Sequence, residues 1–189
     1  STSWYRKMGN ILKKKYLNNI QNIMKDISNN KKSIFIGQSV LYPGNLIYKS
    51  LLKVPKSKKF EVPVFEDNQM GISTGFALAG YLPITTYPRF DFFILSMNQL
   101  VNHLDKIKII SKGNFKPKVI VRVLVGSKKP LDAGLQHTNN YVNEIKKICK
   151  YTSVYDLKDN KSVLKSYKNA IESENSSILV EYSQLYDKI

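Results

Sequence analysis

The feature that most constrains the fold is a series of short apolar runs separated by longer amphipathic segments. Three of these runs, residues 33–40, 118–125 and 177–182, are rich in isoleucine, valine and leucine. Such runs are typical of strands buried on both faces of a parallel sheet. Segments with helical periodicity, each about 10–15 residues long, lie between strands and imply right-handed crossovers. The sequence therefore predicts an α/β fold, with a mostly parallel sheet and helices on both faces.

The other elements follow from periodicity and from the positions of turn residues. Further strands are predicted at residues 62–65, 83–87 and 153–155. A helix is predicted from residue 67 onward, capped by Asp67 or Asn68. Other helices are predicted at residues 14–28, 46–52, 141–150 and 161–172. A further helix is predicted to open within residues 87–93 and to continue over residues 95–110.

Length and composition indicate one globular domain. The 189 residues suffice for a full hydrophobic core, and 42% of them are apolar. We interpret residues 1–13 as a basic N-terminal extension and residues 14–189 as the domain. The sequence contains no apolar run of about 20 residues and no signal-peptide pattern. Its single cysteine, Cys149, fits a reducing compartment, so a cytoplasmic protein without a membrane segment is expected.

The net charge of +16 raises the possibility of nucleic-acid binding. Only Arg6, Arg89 and Arg122 among the 30 basic residues are arginines. Arginine is the residue that forks onto phosphates and guanines, so its scarcity disfavours this hypothesis. An anionic cofactor, an acidic substrate or an acidic partner subunit would respond to the same positive field.

A carboxylate stands at one strand-to-helix junction. Glu66 lies between the predicted strand 62–65 and the helix that follows it. Within that helix Gly71, Gly75 and Ala79 recur every four residues, which leaves one helical face almost without side chains. A carboxylate at such a junction occupies a position where α/β proteins bind ligands.

The order of residues around this junction resembles a known family. Pro63, Glu66, Gly71, Gly75 and Gly80 fall at the offsets of the pyrimidine-binding domain of transketolase-type thiamine-diphosphate enzymes. The sequence is similar in particular to the beta subunit of 2-oxo acid dehydrogenase decarboxylase components. The register continues without a gap, and the resemblance covers residues 16–187. Four further positions keep it: Pro83, Phe90, Gln99 and Asn102.

The resemblance implies roles for several side chains. Glu66 would hydrogen-bond to N1′ of the cofactor's aminopyrimidine and so promote formation of the reactive ylide. The ring of Phe90 would stack on that pyrimidine, and Tyr87 and Phe93 are weaker candidates for the same wall. His137, in the segment Gln136-His137-Thr138, would reach the reaction centre and donate to the substrate or shuttle a proton.

The chain departs from the family at the end of its first predicted strand. Residues 37–40 read Gly-Gln-Ser-Val, whereas the family has two carboxylates after the glycine. Gln38 therefore stands where relatives carry an acid near the active site, and it is a candidate cofactor contact. This change leaves open whether the usual substrate or proton network is kept, and an ordinary strand end is an equal alternative for Gln38.

The chain lacks the motif that binds the other end of the cofactor. The family holds Mg²⁺ and the diphosphate with Gly-Asp-Gly and a downstream Asn, whereas this sequence contains no Gly-Asp-Gly and no metal site of its own is predicted. We expect neither a diphosphate-binding domain nor a C-terminal transketolase domain in this chain. A separate subunit would supply Mg²⁺ and the diphosphate site, giving a heterodimer or heterotetramer with an interface of exposed apolar surface around residues 71–79 and Phe90.

Three functional hypotheses remain open at this point. The chain is a catalytic subunit acting on a 2-oxo acid or a ketose, a non-catalytic binding or regulatory module of the same fold, or a basic nucleic-acid-binding domain. The first two share a fold, so only the site can separate them.

Overall fold

The computed structural model describes residues 16–128 and 132–186, and its strands form a single sheet. The strands are β1 (Ser33–Gly37), β2 (Lys59–Glu61), β3 (Leu82–Tyr87), β4 (Ile120–Val125), β5 (Ser153–Asp156) and β6 (Ser177–Tyr182). Their order across the sheet is β2-β1-β3-β4-β6-β5. Every neighbouring pair is parallel, which confirms the predicted α/β class. The predicted extension at residues 1–13 lies outside the described residues.

Helices connect these strands, and those predicted at residues 14–28, 46–52, 141–150 and 161–172 are found close to those limits, whereas the helix that follows β6 was not predicted. The helices are α1 (Tyr16–Ser28), α2 (Leu46–Ser50), α3 (Glu66–Leu78), α4 (Phe90–Phe93), α5 (Ile107–Ile110), α6 (Val142–Ile148), α7 (Asn160–Glu172) and α8 (Ser183–Tyr186). No helix among the described residues is both long enough and apolar enough to span a membrane.

The sheet has an apolar core on each face, because successive side chains of a strand point in opposite directions. On β4, Ile120 and Leu124 pack in one cluster with Ile20 of α1. Val121, which lies between them, packs in a second cluster with Met70 of α3. The predicted arrangement, with helices on both faces of a parallel sheet, is therefore confirmed.

The predicted strand at residues 62–65 is wrong. β2 ends at Glu61, and the last hydrogen bond between β2 and β1 runs from the amide of Val62 to the carbonyl of Gly37 at 3.1 Å. Pro63 has no N–H group with which to continue the ladder. The four residues therefore form an irregular connection, with a bend at Val64, rather than a strand.

Helix α3 also begins earlier than its cap residues predicted. Phe65 occupies the N-cap and makes no side-chain capping bond, so the predicted cap at Asp67 or Asn68 is wrong. Glu66 and Asp67 lie in the first turn, where carboxylates interact favourably with the helix dipole. Glu66 is consequently held by helical backbone rather than by a flexible junction.

The single helix predicted at residues 95–110 is broken into unlike pieces. A 3₁₀ turn (Ile94–Ser96) and a π-helical stretch (Asn98–Leu104) precede α5. The amide of Asp105 reaches the carbonyl of Leu100 at 2.8 Å, and its buried carboxylate accepts hydrogen bonds from the amides of residues 150–152. The hydrogen bonds between Asp105 and the loop at residues 150–152 explain why regular α-helical geometry is interrupted near Asp105.

A buried ion pair joins β4 to β6. Arg122 donates through Nε and Nη2 to the two carboxylate oxygens of Glu181 at 2.8 and 2.9 Å, and Nη2 also donates to Ser50 Oγ at 2.9 Å. The hydroxyls of Tyr167 and Tyr186 donate to the same carboxylate. Burial raises the pKa of both tyrosines well above the ordinary value, so their hydroxyls remain protonated donors.

The thiol of Cys149 is expected to be inert in the native protein. It is buried at the end of α6, and burial, together with the nearby Asp105 carboxylate, raises its pKa to about 12. The unfolded thiol has a pKa of about 8.5, so at pH 8 the thiolate fraction should rise about 10³-fold on unfolding. Labelling with a disulfide reagent, with and without urea, measures this ratio. Equal labelling rates in both states would contradict the burial described here.

Candidate active site

A cavity lies at the carboxyl edge of the sheet, where the strand order reverses. The chain leaves β1 to form β2 on one side and then returns to form β3 on the other, which makes the gap between β1 and β3 the topological switch point. Ligands of open α/β sheets bind at this position. The cavity measures about 240 Å³ and is lined by Gln38, Gly44, Asn45, Val64, Glu66, Tyr87, Pro88, Arg89, Phe92 and His137.

Glu66 contributes a carboxylate to this cavity from the first turn of α3. The residue is only 5% exposed, and its Oε1 accepts a hydrogen bond from Nε2 of Gln38 at 3.2 Å. The hydroxyl of Tyr87 donates to the backbone carbonyl of Glu66 at 3.3 Å. Burial raises the pKa of Tyr87 well above its ordinary value, so this hydroxyl stays protonated. Gln38 therefore holds the carboxyl group of Glu66, and Tyr87 holds the backbone that carries it.

The turn that carries Gln38 is held by a second glutamate. Glu61 accepts hydrogen bonds from the amides of Ser39, Val40 and Leu41 at 2.5–2.8 Å. Ser39 adopts a left-handed conformation with φ 57°, which costs energy for a residue with a side chain. The bonds to Glu61 stabilise this turn and so keep the amide of Gln38 against Glu66.

The predicted aromatic wall requires a correction. Phe90 and Phe93 are both fully buried and do not line the cavity. The ring centroids of Phe90 and Phe93 are 5.9 Å apart. The ring of Phe90 also packs on Tyr141 at 5.6 Å, and that of Phe93 packs on Tyr87 at 4.9 Å. A spacing of three residues puts the rings of Phe90 and Phe93 on one face of the helix, and that face meets the core. Of the predicted wall, only Tyr87 reaches the cavity.

Phe92 and Arg89 occupy the wall instead. Phe92 is 39% exposed and its ring meets that of His137 edge to face, with centroids 5.4 Å apart. Phe92 was available to sequence reasoning, because it lies on a different side of the helical turn from Phe90 and Phe93. Arg89 gave no comparable signal, since it precedes the helix.

His137 reaches the cavity from the loop between β4 and α6. Its amide donates to the carbonyl of Gly134 at 3.1 Å. Two residues on, the amide of the Asn139 side chain donates to Oδ1 of Asp91 in α4 at 2.5 Å. The buried Asp91 thus ties the loop to the helix that carries Phe92. Sequence reasoning missed this positioning residue, although an acid among three phenylalanines is an unusual pattern.

Gly126 makes room for the backbone of His137, and its replacement by alanine should displace the loop. A Cβ at this position would lie 1.8 Å from the His137 carbonyl oxygen, far inside contact distance. We expect the His137 ring resonance in a ¹H–¹³C NMR spectrum to move in the Gly126→Ala variant.

The chain provides two references for this measurement. The signal of His103, the only other histidine, should remain in place. A Gly75→Ala variant, whose Cβ would meet no atom within 4 Å, should leave His137 unchanged and raise the unfolding free energy by up to about 1 kcal/mol. An unmoved His137 signal in Gly126→Ala would contradict the close approach.

The site thus brings together Glu66, Gln38, Tyr87 and His137 from four separate places in the sequence. Within the described residues no group of three or more histidine, cysteine, aspartate or glutamate side chains is arranged to hold a metal ion. What the arrangement offers is a buried carboxyl group, a ring that can donate or accept a proton, and an arginine, all facing one small cavity.

Comparisons with known proteins show where this fold and sequence occur. The chain shares its fold with a split-gene transketolase described as an inactive beta4 tetramer, with TM-score 0.59 and 14% identity over 88% of this chain and 50% of the other. A transketolase from Campylobacter jejuni gives TM-score 0.66 and 13% identity over 89% and 25% of the two chains. The chain therefore has the transketolase α/β fold.

The sequence comparison narrows the relationship. The chain is similar to the pyruvate dehydrogenase E1 component subunit beta of Gracilaria tenuistipitata var. liui, with 29% identity over 84% of this chain and 49% of that protein. The same subunit of Rickettsia bellii is 28% identical over 67% and 38%. The chain spans half or less of these relatives, and no family model matches it. The resemblance to transketolase-type and E1 beta proteins is thereby confirmed.

Proposed function

We propose that the chain is the pyrimidine-binding subunit of a split, thiamine-diphosphate-dependent enzyme of the transketolase type. In this assignment it promotes carbon–carbon bond cleavage or transfer on a 2-oxo acid or a ketose, together with a separate diphosphate-binding subunit. The observation that carries the proposal is the nearly buried Glu66 carboxylate, which lines a cavity at the switch point of the sheet.

The cavity suits one end of the proposed cofactor. An aminopyrimidine is a flat ring with an apolar face and a polar edge, and the cavity has apolar walls at Val64 and Phe92 beside the carboxylate of Glu66. Its volume of about 240 Å³ lies below the roughly 300–1,000 Å³ of complete ligand sites. This supports a site closed by a second subunit, which would also hold Mg²⁺ and the diphosphate.

The roles of the residues follow from their chemistry. When bound, thiamine diphosphate would supply the nucleophilic carbon of its thiazolium ring. Glu66 would share a proton with the N1′ nitrogen of the pyrimidine, because it is a nearly buried carboxylic acid on the lining of the cavity. Gln38 would keep that carboxyl oriented through Oε1, and His137 would donate a proton or hydrogen bond to the substrate oxygen.

The surface around the cavity supports a partner subunit. Ile72 and Leu78 of α3 are exposed, and so are Phe92, Ile94 and Leu95 in α4 and the turn that follows it. Exposed apolar surfaces mark protein interfaces, so these side chains support the interface that the resemblance implied around residues 71–79 and Phe90. A heterodimer or heterotetramer in the cytoplasm, with this surface covered by the partner, is the assembly we propose.

Cofactor uptake tests the proposal. Equilibrium dialysis of thiamine diphosphate with Mg²⁺ should be run on this chain, on a candidate partner that carries Gly-Asp-Gly and a downstream Asn, and on their mixture. We expect strong uptake only in the mixture. Co-purification of the two chains without any cofactor uptake would instead support the non-catalytic module, and would overturn the proposed role of Glu66.

A further inference from the structure

The chain uses arginine sparingly, and the described arginines occupy unusual positions. Of 30 basic residues only three are arginines, and Arg6 lies outside the described residues. Arg122 forks onto both oxygens of Glu181 in the core, a geometry that lysine cannot reproduce. Arg89 lines the cavity at the end of β3. Most other basic residues of the chain are lysines. Arg89 therefore also occupies a position where the planar guanidinium group could bind a ligand in a way that lysine could not.

The position of Arg89 is fixed by its own backbone. Nη1 donates to the carbonyl of Pro88 at 3.0 Å, and the backbone carbonyl of Arg89 accepts the amide of Phe93 at 3.1 Å. The residue is extended, with φ −140° and ψ 128°, so its side chain leaves the sheet edge just before α4. One nitrogen of the guanidinium is therefore anchored to the backbone of a half-buried residue that lines the cavity.

The charge of Arg89 is not paired within the described part of the chain. The ion pairs found there are Arg122–Glu181, Lys158–Asp156 and Lys168–Glu172. The carboxylate of Glu66 shares the cavity but lies beyond 4 Å of the guanidinium, since no ion pair joins them. A half-buried guanidinium without a carboxylate partner is a ready donor to an anion, and charge-assisted bonds of this kind are strong.

We propose that Arg89, with His137 beside it on the cavity lining, binds the anionic group of the substrate. This inference rests on the proposed function, because it takes the cavity to be the substrate site, and it identifies the substrate as an anion carrying a carboxylate or a phosphate. Both groups accept two parallel hydrogen bonds from a guanidinium fork. Glu66 remains separate and serves the cofactor side of the cavity.

Arginine side-chain NMR on the full chain provides the test. Three arginines give at most three Nε–Hε signals, and the buried Arg122 serves as an internal reference. Pyruvate presents the carboxylate, inorganic phosphate presents the phosphate, and dihydroxyacetone is an uncharged control. We expect a saturable shift of the Arg89 signal with pyruvate, with phosphate or with both, and none with dihydroxyacetone. The anion that binds more tightly shows whether the substrate group is a carboxylate or a phosphate.

Variants distinguish binding by the guanidinium group of Arg89 from a general effect of positive charge. Arg89→Gln should weaken anion binding by about 10- to 100-fold, and Arg89→Lys should recover only part of the loss. Lys165→Gln removes the same charge from the exposed side of α7 and should have no effect. An Arg89 signal unmoved by both anions, or equal anion binding by Arg89→Gln and Lys165→Gln, overturns the inference. Because this assay needs neither partner nor cofactor, its failure is distinguishable from failed cofactor uptake.

Discussion

We expect the Glu66→Gln variant of the assembled enzyme to lose turnover by about 10²- to 10⁴-fold, the range associated with general acid–base catalysis. Glutamine keeps the size of the side chain and its contact with Gln38 but cannot exchange a proton with a ring nitrogen. The residue is nearly buried, so bulk water cannot substitute for the lost group. Measurement of kcat in the complex with the partner subunit tests this.

The same substitution at an exposed position supplies the control. Glu144→Gln lies in the first turn of α6 and faces solvent, so it should leave turnover unchanged. Far-ultraviolet circular dichroism and copurification with the partner establish that Glu66→Gln still folds and assembles. Unchanged turnover in a folded, assembled Glu66→Gln complex would remove the catalytic role and favour a non-catalytic module.

The second large effect is expected on stability, at the buried ion pair. Replacement of Glu181 by glutamine leaves the Arg122 charge buried without its counterion. Breaking such a pair from one side costs about 3–5 kcal/mol, which is a large part of the roughly 5–15 kcal/mol that stabilises a typical domain. Urea denaturation of the Glu181→Gln variant measures this loss directly.

Two further variants test whether the loss of unfolding free energy in Glu181→Gln comes from the unpaired buried charge. The pair Lys168–Glu172 is held at 3.8 Å with the Glu172 side chain 64% exposed, so Glu172→Gln should change the unfolding free energy by less than about 0.5 kcal/mol. The double variant Arg122→Met with Glu181→Leu should recover part of the loss, because neither apolar group needs an ionic partner. An equally small effect for Glu181→Gln and Glu172→Gln would contradict the buried network.

The sheet could be predicted because its central strands are apolar runs that can be recognised in the sequence. Residues 118–125 and 177–182 are apolar at most positions and rich in β-branched residues, which is typical of a strand covered on both faces. The edge strand β2 (Lys59–Glu61) carries no such signal, and the prediction was displaced to residues 62–65. The break of the helix at Asp105 depends on amides more than 40 residues away in the sequence, at residues 150–152, so no local pattern reveals it.

The candidate site was predictable in part for the same reason. Glu66, Gln38 and His137 were placed by resemblance to a family, and parallel strands bring their positions to one edge of the sheet. The rings of Phe90 and Phe93 were misplaced because a spacing of three residues specifies a shared helical face but does not say whether that face meets the core or a ligand. Tertiary packing decides this question.

The central claim is that the Glu66 carboxyl group meets the pyrimidine ring of thiamine diphosphate. A crystal structure of the chain with its partner subunit, thiamine diphosphate and Mg²⁺ tests it most directly. We expect a Glu66 carboxyl oxygen within hydrogen-bond distance of N1′, about 2.6–3.2 Å, with the diphosphate bound by the partner. A cofactor bound elsewhere, with the Glu66 carboxylate facing water, would contradict the account.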